Sequence, residues 1–388
     1  DRSGTLNEMK NGTHPKVWVD VSTSALRTNV RSIQTRVKPA KIMAVVKSNA
    51  YGHGMAGVAK SVSMSADWFG VDSIDEALIL RKNGIKKPIL ILGFIPLARI
   101  DACAKHGFSF AVYNTETLKA ISKIKAKKSA FKIHLKIETG TTRQGLNGSA
   151  LDDFVRRALK IPSIEIEGAY THYANIEDTT DPAYAMNQLK RFKAELARIR
   201  KIGVEPSVLH TACSAAAILY PDTHFNMVRL GISLYGHWSS KETQAVAGQK
   251  KRKVELVPAL TWKTIVAQVK DVPKGAHVSY GLTEKVSRPS RLAVLPVGYW
   301  DGLDRGLSSV GEVLIGGRRC KIMGRICMNM TVVDVTDVRS LKSGDEAVLI
   351  GRQGREVISA ESVASKIGTI QYEVLTRINP LIERRMVK

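Results

Sequence analysis

Residues 41–54 read KIMAVVKSNAYGHG. Lys41 to Val46 form a short apolar run of strand length, Lys47 closes it, and Tyr51 leads into a turn with glycines at 52 and 54. Seven similar runs follow at spacings that leave room for a helix between each pair. They are WFGVD (68–72), PILILGF (88–94), FSFAVY (108–113), FKIHLKIE (131–138), EIEGAYTHYA (165–174), PSVLHTA (206–212) and MVRLGISLYG (227–236). The stretches 73–83, 114–127 and 183–201 carry apolar residues at helical spacing, with Ser73 and Asn114 where N-caps belong. Eight strand–helix units predict a (β/α)8 TIM-like barrel. The rival doubly wound sheet would want a GxGxxG turn after an early strand, and none is present.

After Lys253 the pattern changes to close alternation: LTWKTIVAQVKDV, HVSYG, RLAVLPVGY, GEVLIGG and MTVVDV, with one clear helix over 358–367. This predicts a mostly β domain. The expected division is a loose or processed terminus over 1–15, a barrel over 16–248 and the β domain over 249–388, two domains being usual for 388 residues. The longest apolar run, 88–98, is too short to span a bilayer, and no secretory leader is visible. Four cysteines, none in a metal-type pair, fit reduced thiols in a cytoplasmic protein. The net charge of +24 is large, but the basic residues are spread along the chain, so neither a nucleic-acid nor a membrane partner is expected. The densest run, Lys250 to Lys253, reads as an exposed linker.

Reactive groups of such a barrel sit at the C-terminal ends of the strands. Lys47 lies there. A strand-end lysine on spacing alone is more often a residue reaching solvent, but Tyr51 and the two glycines favour an amine desolvated at the mouth and able to form a Schiff base. The loops after the last two strands offer Ser214 among small residues and Gly231 after Arg229, which together suggest an anion site across the mouth. Lysine plus phosphate site suggests pyridoxal phosphate. In FKIHLKIE, Lys132, His134, Lys136 and Glu138 share one face of a strand expected to be buried on both, so that row needs partners.

These residues resemble the alanine racemase family. AVVKSNAYGHG (44–54) is similar to its cofactor motif, and HLKIETGTTRQG (134–145), YTHYA (170–174), HTACSAAAIL (210–219), NMVRLGISLYG (226–236), VSYGLT (278–283), PVGYWDGL (296–303), GRICMNM (324–330) and YEVLTRI (372–378) follow in register. The resemblance implies that Lys47 binds the cofactor aldehyde and acts as one acid–base. Tyr51, Ser214, Gly231 and Ile232 would hold the phosphate, Arg229 would meet the pyridine nitrogen, and His172 would lie beside the ring. Arg143 would contact cofactor and substrate carboxylate, and Lys136 would be the lysine that can carry a carbamate. Tyr280 would be the opposite acid–base, reaching the site from a second subunit of a head-to-tail homodimer. Met328, Tyr299 and Tyr372 would touch substrate, with Arg305 nearby at the entrance. The activity implied is interconversion of L- and D-alanine for peptidoglycan, with no metal. The alternatives are a broad-specificity amino-acid racemase and, further off, a non-enzymatic cofactor-binding protein. The chain departs from the family at Glu138, Thr141-Thr142, Cys213 and Asn329, where Asp, Met-Gly, Asn and Asp are more common.

Overall fold

The computed structural model describes residues 15–388, so all but the last residue of the expected loose terminus lies outside the described residues. The chain divides into two compact units. Thr23–Tyr51 with Met55–Ala259 form one; Leu260–Lys388 with the preceding strand and Gly52–Gly54 form the other.

The first unit is the barrel. Strand β1 (Val17–Ser22) belongs elsewhere; β2 (Lys41–Val45), β3 (Trp68–Val71), β4 (Ile89–Ile91), β5 (Ser109–Val112), β6 (Phe131–Lys136), β7 (Ile164–Tyr170), β8 (Val208–His210) and β9 (Met227–Leu230) run parallel in the order 9-2-3-4-5-6-7-8. Between β8 and β9 the ladder gives way to two bonds. Arg229 N donates to Ala212 O at 3.0 Å and Leu209 N to Asn226 Oδ1 at 2.8 Å, which leaves the barrel nearly closed. All eight strands fall on the runs that alternation predicted. The two expected N-caps are in place: Ser73 accepts from Glu76 N and Asn114 from Thr117 N.

The second unit is mostly β. Its larger sheet places β10 (Leu260–Ile265) between β1 and the strand Glu346–Gln353, and β1 also pairs in parallel with Glu383–Val387. A three-stranded sheet, Gln268–Val272, Ser290–Leu295 and Thr331–Asp334, lies beside the short hairpin of His277–Val278 and Glu284–Lys285.

Two boundaries differ from expectation. The barrel does not begin at residue 16, because Val17–Ser22, buried except at Asp20 and Ser22, fills a slot between β10 and the C-terminal strand. Nor does it end at 248. Buried Asn29, on the helix Thr23–Val37, accepts from Val257 N at 2.7 Å and donates to Val257 O at 2.9 Å and Leu234 O at 3.1 Å, so the segment to Ala259 is tied to the barrel. A second helix of the β domain, Gln371–Thr376, was also not predicted; six residues give too short a period to read.

Replacing Asn29 with Ala orphans one N–H and two carbonyls that are largely shielded from water. Each buried unsatisfied group costs about 1–3 kcal/mol, so we expect Asn29→Ala to lose on the order of 3 kcal/mol of stability, measured by urea unfolding of the purified chain.

Candidate active site

Lys47 follows β2 with only Val46 between them. The four residues after it, Ser48, Asn49, Ala50 and Tyr51, have φ of 54°, 53°, 55° and 51°. Such a left-handed run costs roughly 1–2 kcal/mol per non-glycine residue and persists only when neighbours impose it. Here Ser48 N donates to Glu76 Oε1 at 2.6 Å, Ala50 N to Val46 O at 2.9 Å, and Met55 N to Asn49 Oδ1 at 3.0 Å. The glycines announced a turn, but the strained residues precede them. Lys47 Nζ lies 3.7 Å from Asp72 Oδ1, at the end of the neighbouring strand.

Ser214, after β8, accepts from Gly231 N at 3.0 Å and Ser233 N at 3.4 Å, which joins the last two loops. A Cβ on Gly231 would sit 2.7 Å from the Tyr51 hydroxyl oxygen and 3.9 Å from Ser214 Oγ, so the hollow bordered by these three residues exists only because residue 231 has no side chain. Ile232 opens the following turn and is buried. The Tyr51 ring lies 5.0 Å from that of Tyr235, whose hydroxyl donates to Val45 O at 2.8 Å; this backs Tyr51 from behind. Burial, then the charges of Glu177 and Cys213, raise the Tyr51 phenol far above its usual range, so it serves as a neutral donor.

Arg229 is buried, and its four terminal hydrogens are spoken for. Nη1 donates to His210 Nδ1 and His210 O, both at 2.8 Å; Nη2 donates to Thr171 O at 2.9 Å and Thr211 O at 2.8 Å and lies 3.4 Å from His172 Nδ1. Among the described residues only its Nε–H is left for a further acceptor. A relay continues behind it. His210 Nε2 is 3.0 Å from His134 Nδ1, and His134 Nε2 is 3.2 Å from Glu167 Oε2. Glu167 also accepts from Ser109 Oγ at 2.5 Å and Lys132 Nζ at 3.0 Å.

The tautomers follow from the ends. Arginine can only donate, so His210 accepts at Nδ1 and carries its hydrogen on Nε2; His134 then accepts at Nδ1 and donates from Nε2 to the carboxylate. Burial holds both imidazoles below the usual histidine range, with the Arg229 charge adding to the effect at His210. Burial would raise Glu167, but hydrogen bonds from His134, Ser109 and Lys132 bring it down to about 2. A Cβ on Gly168 would lie 2.4 Å from His134 Nδ1, so glycine there is what admits the ring, and Tyr170 stacks on His210 at 4.7 Å. The polar row of β6 signalled a need for partners. The partners themselves, His210 and Glu167, were not identifiable, because they lie on β8 and β7.

Lys136 sits 4.3 Å from the centre of the Tyr170 ring, and burial, then Arg229 and Arg143, lower its amine to about 7. His172 is held far below its usual range by burial and by the charges of Arg229, Lys136, Arg143 and Lys47, which marks the point where four cations converge. Arg143 rides an exposed loop pinned by Glu138, whose Oε1 accepts from Gly140 N at 2.5 Å and Thr141 N at 2.7 Å. Thr142 in that loop has φ of 52°, a strained value for a β-branched residue. Cys213 is the N-cap of the helix Ser214–Leu219 and makes no capping bond with its side chain.

The remaining predicted residues collect on the β unit. Tyr299 N donates to Cys327 O at 3.1 Å and Trp300 N to Met328 O at 3.0 Å; Ser279 Oγ donates to Arg325 O at 2.5 Å and lies 3.6 Å from Cys327 Sγ. Tyr280, Tyr299 and Met328 therefore stand on linked loops, all exposed, with Tyr280 71% accessible. Tyr372 is on the helix Gln371–Thr376, and Arg305 opens the short turn Arg305–Leu307.

The residues of the barrel mouth fit pyridoxal phosphate: an amine at a strand end, an anion hollow kept open by Gly231, and a guanidinium with one N–H to offer a ring nitrogen. Comparison with known proteins agrees. Residues 21–238 match the family model described as alanine racemase, N-terminal domain, and residues 259–386 that described as alanine racemase, C-terminal domain. The alanine racemase of Symbiobacterium thermophilum is 38% identical over 369 residues, 95% of this chain and 96% of the relative. The crystal structure of alanine racemase from Streptomyces lavendulae superposes with a TM-score of 0.88 at 33% identity, covering 97% of this chain and 98% of that one. That from Bacillus anthracis with bound L-Ala-P gives 0.88 at 34% identity, covering 95% and 94%.

The neutral relay carries a pH signature. His134, His172 and His210 have folded pKa values below the unfolded value near ~6.5, so below that pH the unfolded chain takes up protons that the folded one refuses. Stability is then full above about pH 6.5 and declines as pH falls, by up to ~1.4 kcal/mol per pH unit for each histidine. Thermal melts of the cofactor-free chain should show Tm falling between pH 7.5 and 5.5. A flat Tm across that window would contradict neutral, buried imidazoles.

Proposed function

The chain belongs to the alanine racemase family, and is thus a pyridoxal phosphate-dependent enzyme that interconverts L- and D-alanine; we propose that Lys47 and Tyr280 are the two groups that exchange the α-proton, one on each face. The observation that carries this reading is the convergence of Lys47, the Tyr51–Ser214–Gly231 hollow and the Arg229 Nε–H at the ends of neighbouring barrel strands. Bound pyridoxal phosphate supplies the electron withdrawal that acidifies the α-hydrogen of an amino acid joined to it.

The protein residues do the rest. Tyr51, Ser214, Gly231 and Ile232 hold the phosphate. Arg229 keeps its own proton, so a ring nitrogen set against its Nε–H would stay largely unprotonated, the withdrawal would be restrained, and quick return of the α-proton would be favoured over side reactions. His172, neutral, would lie beside the ring. Arg143 binds the substrate carboxylate. Lys136, with an amine near neutrality at pH 7, takes up carbon dioxide, loses one proton and becomes a carbamate anion set against Arg143. A base on each face is the simplest way to invert a carbon, because the proton leaves one side and returns on the other.

Tyr280 stands on the β unit, and we place it in the site of a second copy, in a head-to-tail dimer with two equivalent sites. Met328, Tyr299 and Tyr372 then crowd the space beyond the α-carbon. The product serves peptidoglycan synthesis in the cytoplasm.

Lys47→Ala should abolish both racemisation and the visible absorbance of lysine-bound cofactor; an unaltered band would overturn the assignment. Mixing inactive Lys47→Ala and Tyr280→Phe subunits should restore about a quarter of wild-type activity, since about half the dimers are mixed and each holds one complete site. No recovery with mixed dimers confirmed by mass would reject the shared site. Comparison of kcat/KM should rank alanine above serine and far above lysine and arginine, since overpacking costs ~1–3 kcal/mol.

A further inference from the structure

The net charge of +24 looks diffuse along the sequence, but the barrel sorts it. In a (β/α)8 barrel every loop from a helix to the next strand lies on the face opposite the active site. On that face the loop after the helix Thr115–Ser122 carries Lys123, Lys125, Lys127 and Lys128, all exposed. The start of β2, other loops and helix ends add exposed Lys41, Lys86, Lys105, Lys160 and Lys201. None of these nine makes an ion pair among the described residues. The acids at the same end are fewer: Asp67, which accepts from Ile42 N at 2.8 Å, Glu165 at the start of β7, Glu205, paired with Arg200 at 3.3 Å, and Asp222. The opposite loops hold Asp72, Glu138, Glu177, Asp178 and Asp181, which outnumber the Lys47 and Arg143 of the same loops. The charge is polarised along the barrel axis.

Helix dipoles account for part of this, because the helix C-termini point to that face and favour cations. They do not reach Lys86, Lys125, Lys127 or Lys128, which lie beyond the last helical turns. Two large apolar residues protrude among the lysines: Met64 is 98% exposed and Leu159 54%.

We propose that this face binds an anionic lipid bilayer, peripherally and reversibly, with the barrel mouth turned away from the surface. Short loops of lysine around protruding aliphatic side chains match charged headgroups over an apolar layer. A nucleic-acid surface fits less well. The loops themselves contain no arginine, Arg156, Arg157 and Arg200 lying on the helix ends behind them, and they have no exposed Phe, Tyr or Trp and offer no helix or strand to a groove. Among the described residues no helix is long and apolar enough to cross a membrane.

The test is sedimentation of the holoenzyme with vesicles of phosphatidylglycerol and phosphatidylcholine, or of phosphatidylcholine alone, beside a short DNA duplex read by anisotropy. We expect retention on the anionic vesicles only, lost as salt rises from 0.05 to 0.5 M (chosen about a Debye length of ~10 Å at 0.1 M). At about fivefold per lysine, the variant Lys123→Gln/Lys125→Gln/Lys127→Gln/Lys128→Gln should weaken partition on the order of a hundredfold or more. The pair Met64→Ser/Leu159→Ser should weaken it without changing the salt slope. Racemase activity of both variants should match wild type, which keeps folding and the active-site reading separate from this result. Equal retention on neutral vesicles, or undiminished retention of the lysine variant, overturns the proposal. So does duplex binding tighter than vesicle binding together with no effect of the aliphatic pair.

Discussion

A guanidinium sealed inside a barrel must be compensated, and the way Arg229 is compensated organises the N-terminal unit. No carboxylate among the described residues pairs with it. Its charge is met by backbone carbonyls of Thr171, His210 and Thr211 and by a neutral imidazole, and the nearest anion on that path, Glu167, stands two rings away. Isolating such a charge would cost several kcal/mol, whereas a chain of aligned donors shares it between a cation at one end and an anion at the other. The alignment is possible because Gly168 leaves room for His134 and Tyr170 covers His210. Three adjacent strands, β6, β7 and β8, are thereby fixed in relation to β9, which carries Arg229.

The same arrangement leaves Arg229 with one N–H and a settled charge. Around it, burial and then the nearby cations hold His172 far below its usual range, and burial lowers the Lys136 amine to about 7. Strain concentrates beside the chemistry as well. The left-handed turn after Lys47 and the raised φ of Thr142 before Arg143 both sit in loops at the strand ends, braced by Glu76, Asn49 and Glu138. A rigid scaffold beneath lets these loops keep conformations that an isolated peptide would abandon.

Much of the barrel could be read directly. Each strand is a short apolar run between turn signals, and Ser73 and Asn114 announce helices through bonds to residues three positions away. Lys47, Tyr51, Ser214 and Gly231 were legible for a related reason: the loop that carries each one has its own composition. Strand β1 was not, since VWVDVS reads as a strand anywhere and its partners are 260–264 and 383–387. Its company is decided by register with residues more than two hundred positions on.

The sequence by itself determined the alternation of strand and helix, the strand-end place of Lys47, and the family, because these reside in spacing and local residue type. The tertiary structure decided which polar groups answer one another and which charges share a face. Glu167 and Arg229 are sixty-two residues apart and never adjacent in any local pattern, yet the barrel puts them at two ends of one relay. The lysines are separated by whole strand–helix units, and only the rule that returning loops meet at one end of a closed barrel gathers them. Charge acts through space over several ångströms and periodicity acts along the chain, so a net charge could be counted from the sequence but not placed.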